Sequence, residues 1–197
     1  MKLPIIETKR LILRPLNRDD AAAIYAYAKD PHVGPPAGWL PHVSSKETHE
    51  FIDYIIERRK SGQPGPWSIY HREDRQVIGT IELHSFKEFK AEIGFALSKD
   101  YWQQGIMTEA AKAVLIVAFE AFELVRISYK HFLDNAASKA LRIKLGFVEE
   151  GVKRKGFKHA DGRILDEVVS SMLDTDYKKL FKTHFKAFKA TMSTRYE

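Results

Sequence analysis

Between Glu92 and Ala110 the chain reads E-I-G-F-A-L-S-K-D-Y-W-Q-Q-G-I-M-T-E-A, and this run constrains the fold more than any other. It begins as a strand, crosses a short loop and continues after Gly105 as a helix, in which Ala111, Val114, Leu115, Ala118 and Phe122 keep a 3.6-residue period. A glycine at the mouth of a helix lets free backbone N–H groups converge on an anion, and the positive end of the helix dipole favours it. The ligand to expect is a phosphate or pyrophosphate. A P-loop or a dinucleotide fold would carry several glycines, and no Lys-Ser or Lys-Thr pair follows Gly105, so a Walker A reading fails. On residue types alone an ordinary strand–turn–helix is the favoured reading.

The surrounding pattern alternates strands and helices. Residues 8–16 read as a strand ended by Pro15, and Asn17, Asp19 and Asp20 open a helix running to 28. Residues 31–43 hold four prolines, two glycines and Trp39, a structured loop. Ser44-x-x-Glu47 is a capping-box pattern for a second helix with Phe51, Ile52, Ile55 and Ile56 on one face. Strands are expected at 67–70, 77–83 and 91–97, with a charged turn at 71–75 and a longer connection at 85–90. A strand at 125–132 and a helix at 136–145 follow, Gly146 serving as the residue after the helix. Two strands near 147–153 and 164–173 flank a turn at Asp161-Gly162, and a basic amphipathic helix occupies 176–192. This order predicts a mixed α/β (α+β) sheet with helices packed on it. No internal repeat is visible.

With 197 residues and ordinary hydrophobic (44%) and charged (29%) fractions, the chain fits one globular domain. It has no cysteine, which excludes disulfides, thiolate metal sites and a cysteine nucleophile and fits a cytoplasmic setting. The eight histidines show no ligand spacing, so no metal is expected. No signal peptide or membrane-spanning run is read. The net charge of +6 is concentrated in residues 177–197, which carry six bases against one acid; the rest is nearly neutral, which argues against DNA as a partner.

The block D134-N-A-A-S-K-A-L-R-I-K-L-G-F147 resembles the N-x-x-S…L-G-F signature of the GNAT superfamily of acyl-CoA N-acyltransferases. The opening E-T-K-R-L-I-L-R-P and the A-E-I-G-F-A-L strand are similar to its RimJ/RimL branch, the ribosomal-protein N-terminal acetyltransferases. The resemblance covers roughly residues 5–175. It implies a mostly antiparallel twisted sheet with helices on both faces, a domain over 1–175 and acetyl-CoA as cofactor; the basic C-terminal helix or tail at 176–197 lies outside the resemblance.

Residue by residue, the resemblance puts the R/Q-x-x-G-x-G/A loop on Trp102, Gln103, Gln104, Gly105, Ile106 and Met107, with backbone amides of 103–108 holding the pyrophosphate and the Thr108 hydroxyl in reach. Gln103 stands where the branch commonly has Gly, and Met107 where it has Gly or Ala. Asn135 matches the residue that contacts the pantetheine arm, and Ser138 the acid for the departing thiolate. Backbone groups of Phe95, Ala96 and Leu97 are implied partners of the oxyanion and pantetheine. Acyl transfer to an amine needs a base. Glu92 is the first candidate and Glu82 the second; each also reads as a structural carboxylate. The stretch after L-G-F, where some RimL-type relatives carry the base, has no carboxylate at 153–157.

Trp39 in the 31–43 loop reads as a wall of the acceptor pocket or as a core plug. The tail places Phe181, Phe185, Phe188 and Met192 on one face and lysines on the other, suited to docking on its own domain, to a homodimer, or to an anionic surface. The expected activity is acetyl transfer to a primary amine, such as a protein N-terminus, in a ternary complex. The alternatives are a polyamine or aminoglycoside acetyltransferase and a non-catalytic acyl-CoA-binding protein anchored by its tail.

Overall fold

A computed structural model describes residues 2–196; Met1 and Glu197 lie outside the described residues. Nine strands form one sheet: β1 (Ile5–Glu7), β2 (Leu11–Pro15), β3 (Pro66–His71), β4 (Gln76–Lys87), β5 (Lys90–Leu97), β6 (Arg126–Phe132), β7 (Val148–Lys158), β8 (Ile164–Leu173) and β9 (Ser193–Arg195). Their spatial order is β7-β8-β6-β5-β4-β3-β2-β1-β9. Every neighbouring pair is antiparallel except β5–β6, which is parallel and pairs over three positions only: Lys90 with Arg126, Ala91 with Ile127 and Glu92 with Ser128. Beyond Glu92 the two strands part, leaving a V-shaped gap in mid-sheet.

Helices α1 (Ala21–Ala28) and α2 (Ser45–Lys60) lie on one face, burying Leu16, Ile24, Tyr27, Ile52 and Ile55. On the other face lie α3 (Ile106–Glu120), α4 (Ala136–Leu145) and the tail helices α5 (Asp174–Leu180) and α6 (Lys186–Lys189). The main core joins Ile81, Leu83, Ile93, Ile127, Tyr129 and Met172 of the sheet to Val114, Ile116 and Val117 of α3. Alternation along each strand then turns Glu82, His84, Glu92 and Lys130 toward the α1–α2 face.

The mixed sheet is as expected, with local differences. The expected strand at 8–16 is β2, starting only at Leu11 because the Thr8 N–H bonds the Leu11 carbonyl and closes a turn, and β1 is an unexpected strand before it. The expected connection at 85–90 shrinks to a turn, since β4 runs on to Lys87 and pairs there with Lys90. β7 likewise runs to Lys158, through two irregularities in its pairing with β8. The single helix expected at 176–192 is α5, a widened π turn over Phe181–Phe185, α6 and then β9. The extra residue in that turn rephases the helix. Tyr177 stacks on Phe119 at 4.9 Å, Phe185 is fully buried, and Phe181, Phe188 and Met192 pack against the main core.

Asp20 holds the α1 entrance. Its carboxylate accepts both Arg14 guanidinium nitrogens (2.9 and 2.5 Å), the Ser68 hydroxyl (2.7 Å) and the Asn17 amide (3.0 Å). Burial alone would push this carboxyl up, but the four donors hold it below its ordinary value.

Candidate active site

The loop before α3 supplies an anion cradle. Gln103 and Gly105 both take left-handed backbone, φ +61° and +74°. Gly105 caps α3 with no side-chain bond, and Ile106, Met107 and Thr108 are first-turn donors with no carbonyl one turn back. Among the described residues, the amides of Gln103, Gln104 and Gly105 also bond no backbone carbonyl. A run of free N–H groups from 103 to 108 at a helix N-terminus fits the pyrophosphate of a coenzyme A. A Cβ on Gly105 would meet only Arg10 Nη2, at 3.7 Å, so the cradle is open to its ligand.

Side chains around the loop brace it. The Trp102 indole N–H donates to the Leu97 carbonyl (2.9 Å), and the Gln104 amide to the Asp100 carbonyl (2.7 Å). Arg10 donates from Nε to Glu109 (2.7 Å) and from Nη1 to the Gln104 carbonyl (2.9 Å), and the Thr8 hydroxyl also bonds Glu109. Met107 points into the core at 9% exposure, so its length does not obstruct the cradle.

Across the gap, the Ser98 N–H donates to the Ile78 carbonyl. Antiparallel alternation then gives Ala96 to β4, while Phe95 and Leu97 turn their peptide groups toward the gap. Of the three backbone candidates, Phe95 and Leu97 therefore face the opening. On β6 opposite, the Tyr129 ring lies 5.8 Å from that of Phe95. Its hydroxyl lies 2.8 Å from Ser138 Oγ and 2.9 Å from the Ser138 carbonyl on α4. Asn135 Oδ1 caps α4 by accepting the Ser138 N–H (2.9 Å), and its Nδ2 donates to the Pro36 carbonyl (3.1 Å). Both polar ends of Asn135 are thus engaged within the protein.

The two carboxylate candidates differ sharply. Glu92 forms a 2.7 Å ion pair with Lys130, with His84 Nε2 at 3.9 Å. Glu82 sits opposite Gly94 on β5, and its carboxylate makes no hydrogen bond or ion pair among the described residues. Burial raises its proton affinity above the ordinary carboxylate range, against the partial pull of His84 and Arg58. A Cβ on Gly94 would lie 3.2 Å from His84 Nε2 and 3.7 Å from Glu82 Cγ, so the glycine opens the slot beside both.

Trp39 is partly buried against the α1–α2 cluster, its ring over Gly34, while Gly38 touches the Phe157 ring. With Asn135 and His159 both bonding carbonyls of 35–36, the loop spans the mouth between α1 and the β6–β7 side. A hollow of about 460 Å³ lies elsewhere, between Phe119, Glu120, Tyr177 and Phe181, and carries none of this chemistry. Sequence reasoning missed Arg10, Glu109, Tyr129 and Lys130; only Thr8-x-Arg10 and the acidic first turn of α3 gave any signal. Among the described residues, no helix is long and apolar enough to cross a membrane.

A model of the acetyltransferase (GNAT) domain matches residues 10–148. The uncharacterized N-acetyltransferase YoaA of Bacillus subtilis (strain 168) is 33% identical over 172 residues, covering 86% of this chain and 97% of its own. The ribosomal protein uS5 alanine N-acetyltransferase of Escherichia coli (strain K12) is 24% identical, covering 87% of this chain and 92% of its own. A GCN5-related N-acetyltransferase from Brucella melitensis superimposes with a TM-score of 0.80 at 21% identity, over 94% of this chain and 84% of that one; this likeness is one of fold. The family match covers well over half the chain and falls on the cradle, the gap and the cap of α4: the chain belongs to the GNAT family of N-acetyltransferases, whose acetyl donor is acetyl-CoA.

Proposed function

We propose that the protein moves the acetyl group of acetyl-CoA onto a primary amine, foremost the N-terminal amine of a protein, and that Glu82 accepts the amine's proton. The observation that carries this reading is the unpaired Glu82 carboxylate, held in a slot that Gly94 opens beside the mid-sheet gap. A base must be free of other partners and poised to take a proton near working pH. Glu92, locked to Lys130, is not free in this way, so we assign it to orienting His84 and Lys130.

Acetyl-CoA would supply the activated thioester. The amides of 103–108 bind its pyrophosphate, and the Thr108 hydroxyl is in reach. The Phe95 and Leu97 peptide groups line the gap where the carbonyl oxygen gains charge, and donors aimed there stabilise it. Asn135 acts through the cap it gives α4, which fixes Ser138. Trp39 and the 31–43 loop wall the acceptor side.

A protein N-terminus is favoured because a relative of nearly the same length acts on ribosomal protein uS5. The test is a titration with acetyl-CoA followed by an acceptor panel of Ala- and Ser-initiated peptides, spermidine and an aminoglycoside. The reading expects saturable binding, turnover on the peptides, and loss of turnover but not of binding in Glu82→Gln. Full turnover in that variant removes Glu82; turnover on the small amines alone replaces the protein acceptor.

A further inference from the structure

Tyr129 is buried at 1% exposure, yet its hydroxyl ends on one residue of α4 and stands on the strand that lines the gap. It has a single proton and two acceptors within reach on Ser138, the carbonyl at 2.9 Å and Oγ at 2.8 Å. These two choices orient the serine differently. When Tyr129 donates to the carbonyl, the Ser138 hydroxyl donates back to the phenol and its proton points inward. When Tyr129 donates to Oγ, the serine proton is released from the protein and free to point into the gap.

We propose that Tyr129 is a positioning residue that turns the Ser138 proton toward the sulfur leaving the acetyl group. This rests on the acetyl-CoA reading above. As the C–S bond breaks, its electron pair stays on sulfur and the amine's proton goes to Glu82. Ser138 keeps its proton and donates a hydrogen bond to the sulfur, and Tyr129 donates in turn to Ser138 Oγ. Linked donors strengthen one another, most of all when the chain ends on an anion. Without the phenol, a serine in the first turn of a helix bonds back to a carbonyl three or four residues earlier, here that of Asn135 or Asp134, away from the gap. Burial keeps the phenol protonated far above its usual range, so Tyr129 serves as a donor throughout. The other titratable groups around the pair are Arg142, ion-paired to Glu149, and His131, whose ring stands edge-on to Tyr129.

The test needs no acceptor. CoA bound to the full chain is titrated with base, and its thiolate is followed by ultraviolet absorption in wild type, Tyr129→Phe, Ser138→Ala and the double variant. Ser138→Ala should raise the thiol midpoint by about one pH unit, a tenfold change in thiolate fraction. Tyr129→Phe should raise it part of the way, and the double variant should match Ser138→Ala. Fluorotyrosine at 129, a stronger donor of the same shape, should lower the midpoint and keeps the test open if the phenylalanine variant folds poorly. If Ser138→Ala moves the midpoint while neither change at 129 does, or if the two effects add, the inference about Tyr129 falls alone. An unmoved midpoint in Ser138→Ala overturns the role of Ser138 and this inference with it. Failure of CoA to bind overturns the coenzyme reading itself.

Discussion

Arg10 grips Glu109 through both its backbone N–H (3.1 Å) and its Nε (2.7 Å), tying the β1–β2 turn to the first turn of α3. The same guanidinium holds the Gln104 carbonyl, so one arginine fastens the loop we propose for the pyrophosphate. Glu109 is nearly buried, and although burial alone would raise its proton affinity, Thr8 and Arg10 together hold it below the ordinary range.

Replacing Glu109 by Gln keeps one oxygen for Thr8 and the Arg10 amide but sets an NH2 against Arg10 Nε, which breaks the ion pair and loosens the loop. The expected cost is about 1–3 kcal/mol of stability, discounted for the partial exposure of Arg10, with roughly tenfold weaker acetyl-CoA binding from the loosened cradle. Denaturant melts and calorimetric titration measure the two separately; unchanged affinity would mean that the loop holds its shape unaided.

A pH profile tests Glu82. Its proton affinity lies above the ordinary carboxylate range, and a base works only when deprotonated, so kcat/KM should rise with pH through that elevated midpoint. The linkage has the opposite sign for stability. The folded protein binds this proton more tightly than the unfolded chain, so stability from this group is present at low pH and declines as pH rises through the folded midpoint. Whatever residual activity Glu82→Gln retains should lack the acidic limb of the rate profile, and its melting temperature at neutral pH should rise. A limb that persists in the variant belongs to another group.

Met107 invites the wrong experiment. Changing it to glycine to match the family's loop pattern would remove a buried core side chain rather than clear the cradle. We expect a loss of about 2–5 kcal/mol with no gain in acetyl-CoA affinity for the folded protein. Tighter binding at unchanged stability would show that the side chain does reach the ligand.

The tail offers a third stability probe. Phe185 is fully buried, and Tyr177 packs on it and on Phe119. Phe185→Ala should cost about 3–5 kcal/mol, whereas Lys182→Ala on the exposed side should change stability by less than about 0.5 kcal/mol. Equal melting curves for the two variants would mean that the tail contributes nothing to the fold.

Where the chain carries its own punctuation, the sequence is legible. α4 begins and ends where Asn135 and Gly146 say it should, because a side-chain cap and a left-handed glycine are local devices. The glycine at the mouth of α3 was legible for the same reason. β9 was not: Ser193, Thr194 and Arg195 have no apolar period, and they form a strand only because β1 offers an edge. The π turn at 181–185 follows from packing against α3 that no local pattern encodes. At the site, residue types named both carboxylates and put Glu92 first; that Lys130 engages Glu92 emerges only after β5 and β6 are laid side by side. The direction of the Met107 side chain is likewise a property of the assembled core.

The three-position pairing of β5 with β6 has a mechanical consequence. The sheet behaves as two panels, β9 to β4 with β5 on one side and β6 to β8 on the other, joined along one short seam. Above that seam each panel presents a bare strand edge to the other, as if a strand had been left out of the weave. An extended ligand lying there bridges the panels like a splint, so its arrival should damp their relative rocking and its departure restore it. The same absent backbone bonds that open room for the substrate thus make the middle of the sheet its most compliant line.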